Sequence, residues 1–404
     1  MIDVRLVGPE HIEDLLLPIR TAFGITPPPE PPARGPMAEF ETRFVAYEDG
    51  AVVGGGGALS ITLSVPGGGE VACAGLTMVG VMPTHRRRGV LSAMMRVHLD
   101  EARARKQAIA TLWTTEGPIY GRYGYGLASL AGDISLERSA ASFADRRPLS
   151  CRARLVTEAQ AAELFPPLWD SARKLHPGMP SRSAAWWQRR RLADPEAARA
   201  GKGPLQRVFV ELDGRPEAYA LYRVEHKWDG HVTAGTLNVI EAVGQSPAGT
   251  RAVWRYLLDI DLMRQVTATN LPVDHPLFVL LAEPRCLHFS TYDALWVRIV
   301  DVPAALAART YGARDSIVLE IEDTFCPWNT GRFRLDGAEG RAVPTNESPD
   351  LRLPAEALGS AYLGGISFTQ LADGGRVEVL EEGAAGRADR LFRSTRAPWC
   401  PEAF

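Results

Sequence analysis

The chain has 404 residues, 46% hydrophobic and 23% charged, and a formal net charge of −3 at pH 7. This is the balance of an ordinary soluble globular protein; lacking a basic excess, it excludes a general nucleic-acid binder and leaves room for cationic small molecules. There is no run of about 18 apolar residues to span a bilayer, no basic stretch followed by an apolar core at the start, and five scattered cysteines (Cys73, Cys151, Cys286, Cys326, Cys400) that suit free thiols in a reducing cytoplasm, not a disulfide framework or a zinc site.

A length of 404 residues implies two or three domains. The opening "IDVRLV" predicts a strand. In "GPEHIEDLLLPIRTAFG", Ile12, Leu15, Leu16, Ile19 and Phe23 recur at helical spacing, and Gly24 stands where a helix end favours positive φ. "ITPPPEPPARGP" is too rich in proline for helix or central strand and predicts a loop. Three strands follow from Arg43 to Pro83, with Asp49–Gly50 and the Pro66–Gly69 cluster as hairpin turns. The run Gly54–Gly57 lies within a strand, so close packing or a bulge explains it better than phosphate binding. "RGVLSAMMRVHLDEARARKQ" predicts an amphipathic helix with Leu91, Met94, Met95, His98 and Leu99 inward; "AIATLWT", then "EGPIYGRYGYG" and a last strand complete the first unit.

Residues 152–285 repeat this order. A strand and helix come first, then "SAAWWQRRRLAD" as a second helix, a hairpin around Asp213–Gly214, the strand "GTLNVIEAVG" and a helix from "PAGTRAVW". The strand-to-helix junction of this second unit, "VGQSPAGTRA", has no arginine cluster, which predicts a structural role. The remainder reads as a smaller α+β unit with strands "SIVLEIEDT" and "GRFRLDG" and helices around "PAEALGSAYLGG" and "SFTQLADGGRV". The chain ends "RAPWCPEAF", apolar and aromatic where free ends are usually polar, so the tail is expected to pack. The expected divisions are residues 1–150, 151–289 and 290–404.

Two stretches carry chemistry. In "VGVMPTHRRRGVL" a strand, a basic turn and a helix start follow one another. Main-chain N–H groups at a helix N-terminus attract anions, Gly89 permits close approach, and guanidinium groups suit a pyrophosphate. The same pattern also describes a solvated basic helix start. In "TTEGPIYGRYGYG", Tyr120, Tyr123 and Tyr125 stand among glycines after a strand. Aromatic clusters are mostly packing, yet a tyrosine here is placed to give a proton to a leaving group.

"VGVMPTHRRRGVL" resembles the acetyl-CoA loop of the GCN5-related N-acetyltransferases (GNAT), Q/R-x-x-G-x-G/A. Arg86, Gly89 and Leu91 fill its marked positions, Leu91 replacing the usual small residue. With "PTHRRRG" and "IYGRYGYG" together, the chain resembles more closely the enhanced intracellular survival (Eis) family of multi-acetylating aminoglycoside acetyltransferases. "LGSAYLGGISFTQLADGGRV" is similar to that family's sterol-carrier-like domain. The resemblance implies an α+β fold: two tandem GNAT-like α/β domains with mixed central sheets, then a sterol-carrier-like α+β domain. It implies that Val79, Gly80 and Val81 flank the acetyl group and pantetheine. Arg87, Arg88, Gly89, Val90, Leu91 and Ser92 would hold the pyrophosphate, with Thr115 and Glu116 beside the cofactor. Tyr120 matches the general acid, and the α-carboxylate of Phe404 the general base. It further implies a homohexamer, an aminoglycoside or polyamine acceptor, acetyl-CoA as donor and no metal.

Chemically, an amine with a pKa of about 10 is an ammonium at neutral pH. A carboxylate attracts it and takes its proton; the amine attacks the thioester, a main-chain N–H on Val79–Val81 steadies the oxyanion, and Tyr120 protonates the departing thiolate. Two other expectations compete. One is acetylation of protein lysine or polyamines; the other is a non-enzymatic lipid-binding scaffold, which the "RRRG" loop disfavours.

Overall fold

The computed structural model describes residues 1–26, 40–145, 147 and 149–404. The proline-rich loop expected at 25–36 lies, from residue 27 onward, outside them. After β1 (Asp3–Leu6) comes α1 (Ile12–Phe23), which ends on Gly24 at φ 65°. Asp49 and Gly50 take φ of 52° and 81°, the pair that a tight two-residue hairpin requires, and join β2 (Thr42–Glu48) to β3 (Ala51–Ser64). β4 (Glu70–Val81) runs antiparallel to β3, α2 (Val90–Ala104) follows, and β5 (Ile109–Trp113) lies parallel to β4.

The four-glycine run Gly54–Gly57 in β3 serves packing. A Cβ at Gly54 would meet Met94 and Val90 of α2 at 2.7 and 2.9 Å, and one at Gly55 would overlap the Leu15 carbonyl of α1. Successive strand residues face opposite sides, so the two helices cover opposite faces of the sheet, each against bare backbone.

The chain continues through β6 (Tyr125–Leu127), β7 (Leu130–Glu137), β8 (Cys151–Leu155), α3 (Glu158–Arg173) and the single turn α4 (Ala184–Trp186). Then come β9 (Gln206–Leu212), β10 (Arg215–Glu225), a small hairpin of β11 (Trp228–Asp229) and β12 (Val232–Thr233), and β13 (Gly235–Gly244). α5 (Pro247–Leu258), β14 (Met263–Pro272), β15 (Ser290–Asp293) and β16 (Leu295–Ile299) complete this stretch. The first sheet has the order β1-β2-β3-β4-β5-β16-β6 and the second β15-β7-β14-β13-β10-β9-β8.

Two strands therefore sit where sequence order does not put them. The strand read as the last of the first unit, β7, pairs with β14 and β15 in the second sheet. β16, read with the third unit, enters the first sheet between β5 and β6. Both crossings occur at one point. Ala128 and Ser129 donate their N–H groups to Leu295 O at 2.9 and 3.2 Å, and Leu295 N–H donates to Ser129 Oγ at 3.1 Å.

The third unit is a five-stranded sheet ordered β19-β18-β17-β20-β21: β17 (Ser316–Glu322), β18 (Gly331–Asp336), β19 (Arg341–Pro344), β20 (Leu351–Pro354) and β21 (Glu378–Val379). Its core is continuous with the first sheet: Leu63, Val71, Ile109 and Val297 pack in one cluster with Leu319, Leu358 and Phe392. On the edge of that shared core, β16 carries the fully buried Arg298, which donates to Asp323 at 2.6 Å.

Candidate active site

β4 and β5 pair at only three positions, Cys73–Ile109, Ala74–Ala110 and Gly75–Thr111, and then diverge. β4 runs on to Val81 paired with β3, and its β5-facing edge is open. Toward β3 it carries a bulge. Thr77 faces Gly57 and Gly80 faces Gly55, so Met78 and Val79 together oppose Gly56. Met78 takes φ 52° there, and the bulge bends the strand away from β5. Val79, Gly80 and Val81 lie just past this bend. Pro18 and Ile19 of α1 close over Gly80 from behind.

The loop from Pro83 to Gly89 leads into α2. Arg87 and Gly89 take φ of 62° and 86°, and Gly89 stands at the N-cap with no side chain capping the helix. A Cβ at Gly89 would meet nothing within 4 Å, so backbone conformation, not space, favours glycine there. Arg86 and Arg87 are exposed, and Arg88 donates to Glu48 at 2.9 Å. Val90 is buried, Leu91 half-buried and Ser92 exposed.

Past β5, Thr115 and Glu116 are exposed, and Ile119 N–H donates to the Glu116 carbonyl at 3.1 Å to begin two 3₁₀ turns. Tyr120 stands at the joint between these turns. The three tyrosines differ in what their hydroxyls do. Tyr123 Oη hydrogen-bonds Ser92 Oγ at 3.1 Å, and Tyr125 Oη hydrogen-bonds His98 Nε2 at 3.1 Å, both tying the turn to α2. Tyr120 packs edge-on against Tyr125 with ring centres 6.0 Å apart, and among the described residues its hydroxyl has no hydrogen-bond partner. Burial, and then the neighbouring Tyr123, push the Tyr120 hydroxyl up to about 12, so it stays protonated at neutral pH.

The tail packs. Trp399 is buried and Glu402 wholly so, and the Phe404 ring lies on β4: a Cβ at Gly75 would meet Phe404 Cε2 at 3.2 Å. Gly75 is the last residue of β4 that pairs with β5. The chain end therefore sits at the mouth of the cleft between the two strands.

Residues 3–128 and 178–299 each match an acetyltransferase (GNAT) domain family, and residues 302–401 match a sterol carrier protein domain family. An uncharacterized N-acetyltransferase of Streptomyces avermitilis is 40% identical over 372 residues, 91% of this chain and 90% of its own. The N-acetyltransferase Eis of Mycobacterium tuberculosis is 32% identical over 382 residues, 89% of this chain and 90% of its own. The crystal structure of Eis1 from Mycobacterium abscessus superposes with a TM-score of 0.86 at 30% identity, covering both chains completely. The chain belongs to the Eis family of GCN5-related N-acetyltransferases. It is accordingly an N-acetyltransferase, and enzymes of the GNAT type take acetyl-CoA as donor.

Within this Eis fold, among the described residues, no cluster of His, Cys, Asp and Glu side chains could hold a metal ion, and no helix is long and apolar enough to cross a membrane. The glycine run Gly54–Gly57, read as a bulge or close packing, takes part in both: Met78 and Val79 bulge opposite Gly56. Sequence reasoning missed two features of the cleft. His98 reads as an ordinary inward helix residue, and only the fold shows it under Tyr125. Glu402 was passed over within an apolar tail, although a lone charge in such a setting is itself a signal. It meets Arg182 and Arg191, more than two hundred residues earlier in the chain.

Proposed function

We propose that this Eis-family enzyme transfers acetyl groups from acetyl-CoA to the amines of a polycationic acceptor such as an aminoglycoside, at several positions, and that Tyr120 and the Phe404 α-carboxylate are its catalytic residues. The observation that carries this reading is the packing of Phe404 on Gly75, where β4 leaves β5. It supports a free carboxylate beside the cleft.

The residues present fit an acyl-CoA. The open edge at Val79–Val81 offers main-chain groups to the pantetheine arm. The uncapped start of α2, through Arg87, Arg88, Gly89, Val90, Leu91 and Ser92, offers N–H groups and charge to a diphosphate. Thr115 and Glu116 lie where the second wall begins. When bound, acetyl-CoA supplies the activated acetyl group. The chain's own groups do the rest. The Phe404 carboxylate draws the ammonium in and removes its proton. A main-chain N–H on Val79–Val81 steadies charge on the carbonyl oxygen. The Tyr120 hydroxyl returns a proton to the departing sulfur. The same reading carries the domain division at 150 and 289, a homohexameric assembly and a cytoplasmic location.

The test is a screen of acetyl-CoA consumption across aminoglycosides, polyamines and lysine peptides, with products weighed by mass spectrometry. Aminoglycosides are expected to gain more than one acetyl group. Turnover of lysine peptides alone would replace the acceptor assignment, and undiminished turnover in a chain extended beyond Phe404 would remove the terminal base.

A further inference from the structure

The second acetyltransferase unit has a cleft of its own, and a segment of the same chain lies in part of it. β13 and β14 pair in parallel from Gly235–Met263 to Val239–Ala268 and then separate. Ile240 is an extra residue opposite β10, where Leu221 faces Glu241 and Tyr222 faces Val239. This is the plan of β4 and β5: a parallel pair that opens, with a bulge at the opening. Within the gap lies the chain's own end. Trp399 Nε1 donates to Asn270 O at 2.7 Å, and Asn270 Nδ2 donates to Cys400 O at 3.1 Å. Arg191 donates to Pro401 O at 3.1 Å, and Arg190 donates to Ala403 O. A cavity of about 500 Å³ beside these residues shows that the tail occupies only part of the gap.

Four charges anchor it. Arg182 pairs with both Glu241 and Glu402, and Arg191 pairs with Glu402 and, at 3.7 Å, with Glu241. The Trp186 indole donates to Glu402 at 3.0 Å, and Tyr219 Oη donates to Glu241 at 2.6 Å. Arg182 lies over Trp169, 3.2 Å from the ring centre. Burial pushes both carboxyls up, and the two guanidinium groups outweigh it, holding both below the usual range. Apolar packing would stabilise such a site at least as well; what a buried charge cluster adds is one defined arrangement. Two residues separate Glu402 from the chain end, and two residues of chain reach about 7 Å. Fixing Glu402 therefore fixes where the Phe404 carboxylate falls.

We propose that the second acetyltransferase-like unit is a peptide-binding clamp for the C-terminal segment of its own chain, and that Arg182, Arg191, Glu241 and Glu402 are positioning residues for the terminal carboxylate. The ligand class is a short peptide with a terminal aromatic residue and a glutamate two places before it, gripped through that glutamate and its main-chain carbonyls. The proposal rests on the terminal-base reading, and its test separates the two. A chain lacking Trp399–Phe404 is given the synthetic hexapeptide Trp-Cys-Pro-Glu-Ala-Phe. Saturable peptide binding and restored turnover are expected. The same peptide with an amidated end should bind alike and restore nothing, and one with glutamine for glutamate should bind about tenfold weaker or worse. If the shortened chain still binds acetyl-CoA but takes up no peptide, the clamp is overturned. If the amidated peptide restores turnover equally, the clamp stands and the terminal base falls. Should the shortened chain fail to bind acetyl-CoA, full-length Glu402→Gln decides. The clamp predicts kcat lower by about tenfold or more, an unchanged KM for acetyl-CoA, and faster release of Phe404 by a carboxypeptidase. Wild-type kcat with an equally protected tail would overturn it.

Discussion

The two acetyltransferase units share a plan and differ at one helix start. α2 begins on Gly89, with φ 86° and no capping side chain. α5 begins on Ser246, whose hydroxyl accepts from Gly249 N–H at 3.0 Å and donates to Glu217 at 2.5 Å. The second helix thus satisfies one of its own end groups and holds a carboxylate where a phosphate would have to come. The first leaves its end groups open and surrounds them with arginines. A serine cap is the ordinary, stabilising choice, so the exposed start of α2 gives up stability that α5 keeps. The units differ again after the neighbouring strand. Past β5 stands Tyr120, whose hydroxyl has no hydrogen-bond partner among the described residues, and past β14 the chain turns into a packed segment. There His275 is buried edge-on against Trp254, and its Nδ1 accepts from Leu277 N–H at 3.2 Å.

The largest expected effect tests that second difference. Tyr120→Phe keeps the ring contact with Tyr125 and removes only the hydroxyl. It should lower kcat by about a hundredfold to ten-thousandfold, the range of a lost general acid, while acetyl-CoA affinity holds. Wild-type turnover in this variant would take the acid role from Tyr120 and leave the two segments equivalent in chemistry.

Acid should act on both units together. Burial pushes the His98 imidazole down to about 4; burial, and then His176, push His275 down to about 3. Both are neutral in the folded chain, and their ordinary value is 6.5. Below that value the unfolded chain takes up protons that the folded one refuses, so stability is full above it and falls as pH drops toward the folded values. Near pH 5 the loss is about 2 kcal/mol per histidine. Thermal melting at neutral pH and near pH 5 reads this; burial, and then Arg396, hold His176 down to about 3 as well, so His98→Gln should flatten the slope by about a third. An unchanged slope would mean that His98 is not held neutral beneath Tyr125.

Local chemistry was legible in the sequence, and long-range partnership was not. Asp49–Gly50, Asp213–Gly214 and Gly24 all take the positive φ that their residue types suggest. The basic turn before Gly89 and the tyrosines after β5 were found because each is one continuous stretch. The exchange of β7 and β16 was invisible because alternation gives a strand's two faces but not its neighbours. Arg182, Arg191, Glu241 and Glu402 stand far apart in the sequence, and only the fold brings them together. Glu402 in particular needed a partner from another domain before its burial made sense.

Gly89→Ala tests the open helix start from the first unit's side. The substituted residue must hold φ 86°, which strains a side-chain-bearing residue by about 1–2 kcal/mol. If the turn relaxes to avoid that strain, the N–H groups of Val90 and Leu91 no longer converge. The dissociation constant for acetyl-CoA, read by calorimetry, should rise about tenfold. Unaltered affinity would show that this turn does not grip the donor.

The smallest expected effect comes from the second unit. Ser246→Ala removes the cap of α5 and leaves Gly249 N–H without its acceptor, for a loss of about 1 kcal/mol in unfolding free energy. Acetyl-CoA affinity should not move, because Glu217 still stands beside the helix start and no arginine cluster replaces the lost hydroxyl. A second equivalent of acetyl-CoA bound by this variant would mean that the serine cap alone had kept the second unit closed. The difference between the units would then rest on one hydroxyl, and not on the arginine loop of the first.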